Sequence, residues 1–230
     1  LYGAWDGSQA CSAAQWAEAA KREIADIHAH GDVPILVGGT GLYIRTLMEG
    51  IAPVPAIPAD VRDAVRALPT PDAFAELATA DPASHARLDP GDTQRIARAL
   101  EVVRATGLTL GEWQQRKEGG IADRVALSPV ILLPEREWLN ARCDLRFERM
   151  LDKGALAEVE ALLARDLDPA LPVMRAIGVP EIKALLEGDL SRVEAIAAGQ
   201  LATRQYAKRQ YTWFRNQLPQ SWPRADNKTI

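Results

Sequence analysis

The chain has 230 residues, of which 47% are hydrophobic and 25% are charged, and its formal net charge is −4. This length allows one sizeable core with a smaller appended domain, and the composition is that of an ordinary globular protein. The acidic balance argues against a protein that coats nucleic acid indiscriminately, and no apolar run approaches the roughly 18 residues that cross a bilayer.

The first residues, Leu1 to Trp5, have neither the basic segment nor the apolar stretch of a signal peptide. The two cysteines, Cys11 and Cys143, lie far apart and form no metal-ligand pattern. Both features favour a cytoplasmic location for the protein. Because the sequence does not begin with Met, we expect a processed, trimmed or incomplete chain.

The first part of the chain predicts a helix, a strand and a glycine-rich turn. Residues 13–30 have helical composition, with Ser12 as a suitable N-cap. Val33 to Gly39 is an apolar run that ends in two glycines, which is typical of a buried strand in a parallel sheet. Leu42 to Met48 then continue as a helix.

Prolines at positions 53, 55 and 58 separate this part from a series of short helices, which we predict at residues 59–68, 71–80, 82–88 and 91–105. Gly107 is a natural end for the last of them. Because no strand pattern interrupts the series, we predict an all-helical insertion domain at 53–118. The α/β core then comprises residues 1–52 and 119–230.

Strand character returns at residues 125–133, and helices follow at 136–151, 156–164, 180–186 and 191–216. Residues 195–225 contain no acidic side chain, whereas the bases among them are Arg204, Lys208, Arg209, Arg215 and Arg224. Such a helix suits phosphates and stacked bases. The more common interpretation of a charge run is a solvated face, and composition alone does not decide between the two.

Five blocks of sequence carry more specific information. They are Val37 to Tyr43 (VGGTGLY), Asp92 to Val102 followed by Thr106-Gly107, the pattern Arg136, Leu139, Arg142, Arg146 and Phe147, then Met174 to Gly178, and Lys208 to Arg215. In this order they resemble the motifs of the tRNA dimethylallyltransferase family, whose members prenylate tRNA. The resemblance covers the chain from Val37 to Arg215.

The chain departs from the family pattern in two places. The family begins with a P-loop of the type GPT-x-[ST]GK[ST] and a DS-x-x-x-Y segment, and neither occurs here. The diphosphate cradle and the general-base aspartate are therefore absent from this sequence. Val179-Pro180-Glu181 replaces the family's Tyr-Arg-Gln or similar residues, and the proline shifts the local backbone.

The resemblance implies a fold and a reaction. The fold is a P-loop-NTPase-like, nucleotide- or ATP-binding parallel sheet core, without its first strand unit here, whose all-helical insertion binds the tRNA anticodon stem-loop. The reaction transfers a dimethylallyl group from dimethylallyl diphosphate to N6 of adenine 37 in tRNA, with Mg²⁺ as cofactor. The stacked adenine must be flipped into a tunnel, and rate comes from alignment and from stabilising the departing diphosphate. We expect a cytoplasmic monomer.

Matching positions to the family motifs implies the site residues. Arg142 and Arg146 lie on the diphosphate side; the competing expectation for them is ion pairing with Asp144, Glu148 or Asp152. The implied tRNA contacts are Thr40, Arg62, Gln94, Arg95, Ile96, Ala97, Arg98, Arg175, Gly178, Lys208, Arg209, Gln210, Thr212 and Arg215. The competing interpretations are a tight turn with a helix N-cap at Thr40 and an amphipathic helix with solvated arginines at 94–98.

Two alternative functions remain open at this point. One is a non-catalytic tRNA- or protein-binding helical module derived from the family. The other is a related adenylate prenyltransferase or P-loop phosphotransferase, against which the tRNA-contact blocks argue. Since the cradle and the general base are absent from the sequence, we expect the 230-residue chain alone to show no measurable prenyl transfer.

Overall fold

The computed structural model describes residues 1–226 and 228 and is built mostly of helices. The helices are α1 Ala13–Ala29, α2 Gly41–Glu49, α3 Ala59–Arg66, α4 Thr70–Ala80, α5 Pro82–Arg87, α6 Thr93–Thr106, α7 Leu110–Gln114, α8 Arg136–Asp152, α9 Ala155–Leu163, α10 Val179–Glu187 and α11 Arg192–Gln217. A 3-10 turn lies at Pro172–Arg175, and the strands are β1 Ile131–Leu132 and β2 Arg224–Ala225.

Local capping chemistry sets several helix ends. The Ser12 side chain accepts from the backbone N–H of Gln15, whose own side chain accepts from the Ser12 N–H, which closes a capping box at the start of α1. Ser191 and Glu194 repeat this arrangement at α11. Helix α6 ends at Gly107, which has a φ of 71°, a conformation that glycine adopts without strain. The predictions for Ser12 and Gly107 are confirmed.

The predicted buried strand at Val33–Gly39 is wrong. The segment belongs to no strand, and Val33 and Ile35 are 82% and 84% exposed. An apolar run becomes a buried strand only when neighbouring strands pair with it and layers cover it, and within the described residues the one sheet joins β1 to β2. That sheet is parallel, with Ile131 beside Arg224 and Leu132 beside Ala225.

The chain divides into two compact units. The first consists of Leu1–Ile44 and Ala126–Ile230, and the second of Arg45–Val125. The predicted insertion, residues 53–118, lies inside the second unit. Within that unit, Ile51 and Glu118 exchange two backbone hydrogen bonds of 3.0 and 3.1 Å, which join the two ends of the helical segment.

Each unit has its own apolar core. In the second unit, α3 and α4 pack on α6 around Val65, Leu77, Ile96 and Leu100. In the first unit, Phe147 of α8 packs with Leu151, Val159 and Ile182. Along the described part of the chain, no helix combines the length and the hydropathy needed to cross a membrane.

Candidate functional site

The glycine-rich turn that precedes α2 lies directly against α11. A β-carbon at Gly39 would overlap the side-chain amide of Gln210, and one at Gly41 would overlap the indole of Trp213. Only glycine allows the backbone to approach these side chains so closely. Two blocks that are far apart in sequence, the turn and the basic helix, therefore form one surface in the first unit.

Thr40 lies between these two glycines and is exposed. Its carbonyl accepts hydrogen bonds from the N–H groups of Tyr43, at 3.0 Å, and Ile44, at 3.4 Å, and so begins α2. The backbone of Thr40 thus has the helix-starting role, while the residue is exposed next to Gly39, which lies against Gln210. Both interpretations of this residue fit the geometry.

The exposed face of α11 continues this surface. Lys208, Arg209, Thr212 and Arg215 are exposed, and Gln210 is half-buried against the turn. A shallow groove of about 500 Å³ runs along the face, and its lining includes Gln205, Lys208, Arg209, Thr212, Trp213 and Asn216.

The cations of this face have no acidic partner within the described residues. The structure records no ion pair for Lys208, Arg209 or Arg215, and the Arg209 guanidinium lies 5.5 Å from the centre of the Tyr206 ring. Arg204, one turn earlier, behaves differently, because it pairs with Asp144 of α8. A solvated structural helix usually neutralises such a run with neighbouring acids, so this face suits an anionic partner.

Three acids of α8 face α11. Asp144 pairs with Arg204, Glu148 accepts from the Gln200 side chain at 2.8 Å, and Asp152 pairs with Arg192 at 2.6 Å. These are the three carboxylates that were expected to compete for Arg142 and Arg146. Because residues of α11 engage all three carboxylates, the structure does not support ion pairing as the role of Arg142 and Arg146.

Three arginines of α8 and Lys153 at its end line an open groove of about 540 Å³, whereas Arg136, in the first turn of α8, lies 5.1 Å from the centre of the Tyr211 ring of α11. Arg142, Arg146, Arg149 and Lys153 follow one another at helical spacing along this groove, and Leu139, Leu145 and Met150 line it beside them. The Arg142 guanidinium stacks 4.7 Å from the centre of the Trp138 ring. Glu158 also lines the groove, but four cations outnumber this one acid, so the lining suits a ligand with an anionic head and an apolar portion.

Cys143 also lines this groove. Burial, and then the neighbouring carboxylate of Asp144, raise the pKa of the Cys143 thiol. The thiol is therefore mostly protonated at neutral pH, which makes it a poor nucleophile. We treat it as a reporter of the groove and assign it no chemical role.

In the second unit, the predicted RNA contacts lie at the start of α6. Gln94, Arg95 and Arg98 are exposed, while Ala97 is half-buried against the core. Ile96 is 0% exposed and belongs to the core cluster. Its side chain packs the helical unit and does not reach a ligand, so its inclusion among the RNA contacts is corrected.

Two further residues of this region were not predicted from the sequence. Glu101 of α6 is buried and accepts a hydrogen bond of 2.9 Å from Nε of Arg66 on α3. A carboxylate on the apolar face of an amphipathic helix indicates a buried ion pair, and this feature of the sequence could have identified Glu101.

Arg62, which the family motifs implied as a tRNA contact, also lies on α3. It is half-buried and donates to the carbonyl of Ile57 at 3.3 Å.

Arg175 and Gly178 belong to the first unit. Arg175 is exposed at the end of the 3-10 turn. Gly178 is buried, has a φ of 102°, and donates its N–H to the Glu181 carboxylate at 2.8 Å. Pro180 and Glu181, which depart from the family motif, are thus well suited to begin α10.

A metal centre is not evident in residues 1–226 and 228. These residues bring together no group of three or more His, Cys, Asp or Glu side chains that would hold a metal ion. Carboxylate and imidazole groups are the usual protein ligands of divalent cations, so no protein ligands can be assigned to Mg²⁺ from this geometry.

Comparison with known proteins gives a consistent result. A sequence model of the IPP transferase family matches residues 1–217. The tRNA dimethylallyltransferase of Erythrobacter litoralis is 65% identical over 98% of the chain and 71% of its own length. That of Sphingopyxis alaskensis is 67% identical over 97% of the chain and 73% of its own length.

Two solved structures are similar to the chain. The tRNA isopentenylpyrophosphate transferase of Bacillus halodurans has a TM-score of 0.62 and 29% identity, over 97% of this chain and 70% of that one. A eukaryotic dimethylallyltransferase described as acting on tRNA has a TM-score of 0.74 and 26% identity, over 91% of this chain and 54% of that one.

Proposed function

Because the chain belongs to the IPP transferase family, we propose that it is a tRNA dimethylallyltransferase. The observation that carries the proposal is the surface formed by the glycine-rich turn and α11, where Lys208, Arg209 and Arg215 are exposed without acidic partners in the described chain. A surface of this kind suits an RNA backbone.

The proposed reaction transfers the dimethylallyl group of dimethylallyl diphosphate to N6 of adenine 37 in tRNA. The bond between the allylic carbon and the diphosphate oxygen breaks, and the diphosphate leaves with the electron pair. A bond forms between that carbon and N6, and N6 loses a proton to a general base. The adenine amine is a weak nucleophile, so alignment and charge stabilisation supply the rate.

We assign the chain's residues to three tasks in this reaction. Thr40 and the exposed face of α11 hold the tRNA beside the reacting base, and Arg175 lies in the same unit. Gln94, Arg95 and Arg98, with Arg62, contact the anticodon stem-loop from the helical unit. Arg142 and Arg146 stabilise the negative charge of the departing diphosphate, for which bidentate guanidinium groups are well suited.

Three broader expectations belong to the same proposal. The first unit is part of a P-loop-NTPase-like core, a proposal supported by the parallel pairing of β1 with β2. Mg²⁺ is the expected cofactor: it would bind together with the diphosphate, whose oxygens are its usual ligands, and would stabilise the charge of the leaving group. The protein acts in the cytoplasm, where unmodified tRNA is found.

The test is a nucleoside analysis of treated tRNA. The protein, expressed from its own gene, is incubated with an unmodified tRNA transcript, dimethylallyl diphosphate and Mg²⁺, and the digested RNA is examined by mass spectrometry. We expect N6-dimethylallyladenosine at position 37 and none in a transcript with guanine there. Binding of tRNA without any transfer would contradict the proposal in favour of a non-catalytic module. Prenylation of free AMP in place of tRNA would indicate an adenylate prenyltransferase.

A further inference from the structure

We propose that Glu101 is a positioning residue that presents Arg66 and Arg98 together as a phosphate contact for tRNA. This inference rests on the proposed function and extends its RNA-binding surface from α6 to α3. Arg66 and Glu101 are not among the residues that the family motifs implied as RNA contacts, and each is identified here by its geometry in the second unit.

Glu101 is a buried acid with two basic neighbours. Its side chain is 3% exposed and lies on α6 between the buried Leu100 and Val102. A carboxylate in such surroundings is stable only when charged or hydrogen-bonding partners compensate its lost hydration. Here each oxygen faces a different arginine: Oε1 accepts from Arg66 Nε at 2.9 Å, and Oε2 lies 3.8 Å from Nη1 of Arg98.

Both arginines remain open to solvent despite this buried anchor. The side chains of Arg66 and Arg98 are 64% and 46% exposed. Arg66 uses only its Nε for Glu101, and within the described chain its two terminal nitrogens have no hydrogen-bond partner. Those two nitrogens form the edge with which a guanidinium binds a phosphate through two parallel hydrogen bonds.

A second arginine–glutamate pair of the same unit shows the contrast. Arg104 donates both Nε and Nη2 to the two oxygens of Glu76, so that both carboxylate oxygens are bound by the same guanidinium group. One acid satisfies one base there, whereas Glu101 orients two bases and leaves a net positive charge. The arrangement at Glu101 therefore exceeds what a stabilising ion pair requires.

The ligand that fits this arrangement is the phosphodiester backbone of a folded RNA. Two guanidinium groups on one carboxylate can contact adjacent phosphates, and both belong to the unit in which Gln94, Arg95 and Arg98 are proposed RNA contacts. A carboxylate beside an RNA would by itself repel the backbone. The carboxylate favours RNA binding only if it holds the two arginines in position. Repulsion alone predicts that removing its charge tightens binding, whereas positioning predicts that removing it weakens binding.

The experiment measures the affinity of the 230-residue chain for an unmodified tRNA between about 50 and 200 mM salt. Glu101→Gln removes a negative charge, and the matched control Glu76→Gln removes one from the pair with Arg104. We expect Glu101→Gln to weaken binding roughly threefold to tenfold, as for one misplaced phosphate contact, and Glu76→Gln to leave it unchanged or slightly tighter. Tighter or unchanged binding by Glu101→Gln would overturn the inference.

Variants of Arg66 give an independent readout if Glu101→Gln does not fold. Arg66→Ala removes the hydrogen-bonded partner of the buried Glu101 carboxylate and should lower the melting temperature, so binding is measured well below that temperature. Arg66→Lys keeps a cation beside Glu101 and should melt closer to the wild type. We expect Arg66→Ala to lower the salt slope by roughly 0.7 to 0.9, the range for one phosphate contact in a single strand or a duplex. Arg66→Lys should keep the slope but bind more weakly, because it lacks the guanidinium edge.

The salt slopes also separate this inference from the proposed function. An unaltered slope in Arg66→Ala would refute the arginine pair as a phosphate contact, while the function stands if the wild type still binds tRNA. A wild-type chain that binds tRNA no better than an unstructured RNA of equal length would instead refute the function itself.

Discussion

The indole of Trp213 occupies the space into which a β-carbon at Gly41 would project. Gly39 has the same relationship with the side-chain amide of Gln210. Thr40 is thus placed between two close contacts that join the turn to α11. A substitution at Gly41 is expected to separate the turn from the helix, because the rigid Trp213 ring fills the space, whereas at Gly39 the end of the flexible Gln210 side chain can shift to admit a β-carbon.

We first predict that Gly41→Ala destabilises the protein. The added methyl group overlaps the Trp213 ring, and overpacking of this kind costs about 1–3 kcal/mol. Urea unfolding measures the change in the free energy of unfolding. Gly111→Ala is the matched control, because Gly111 lies in helix α7 with no atom nearer than 3.9 Å to the added β-carbon; it should be neutral or slightly stabilising. Equal effects of the two substitutions would contradict the close contact.

Local signals in the sequence predicted several helix ends in both units. The capping residue Ser12 and the glycine at 107 gave correct helix ends, and the helix predicted at 191–216 is observed at Arg192–Gln217. The two capping boxes depend on hydrogen bonds between residues three positions apart, and the end of α6 depends on the conformation of one glycine. A short window of sequence is therefore enough to predict these features.

Long-range partners were the part that the sequence could not supply. The apolar pattern of Val33–Gly39 predicted a buried strand, yet burial depends on neighbours that a pattern does not name. Asp144 was expected to compete for the arginines of α8 and instead pairs with Arg204 of α11. The contact of Arg66 with Glu101 likewise joins two helices. The five blocks nevertheless identified the family.

The exposed cations of α11 lead to a prediction about tRNA binding. Lys208→Ala combined with Arg209→Ala should weaken binding and lower the slope of log affinity against log salt by up to roughly 1.4 to 1.8, or 0.7 to 0.9 for each lost phosphate contact. Titration of labelled tRNA at several salt concentrations measures the slope.

Charge alone has to be excluded as the cause. Lys183→Ala combined with Arg192→Ala removes two positive charges from ion pairs with Glu187 and Asp152. This control should change the slope much less. If both double variants flatten the salt dependence equally, the basic face of α11 is not a specific phosphate contact.

The groove of α8 leads to a prediction about the diphosphate. In the protein expressed from its own gene, Arg146→Ala should lower kcat for prenyl transfer by roughly 10- to 100-fold, because a group that stabilises charge in the transition state is lost. Unfolding free energy should change by less than about 0.5 kcal/mol, as for other exposed positions, since the acids of α8 are engaged by α11.

Lys183→Ala is the control for Arg146→Ala. It removes a cation that pairs with Glu187 on α10 and leaves the acids of α8 engaged, so transfer should continue at nearly the wild-type rate. A variant of Arg146 that keeps full kcat, with dimethylallyl diphosphate saturating, would show that this arginine does not act on the leaving group.

The thiol of Cys143 gives a pH-dependent probe of the same groove. Burial raises its pKa, and only the thiolate reacts with an alkylating agent, so at about pH 8 its labelling should be slower than that of a free thiol. The rate should increase as the pH rises through and beyond the usual thiol pKa range of about 8 to 9, because deprotonation is displaced upward. Cys143→Ser, which keeps Cys11, identifies the signal by mass spectrometry. Dimethylallyl diphosphate should slow the labelling of Cys143 if it binds between Arg142 and Arg146. An unchanged labelling rate at a saturating concentration of dimethylallyl diphosphate would show that the ligand binds elsewhere.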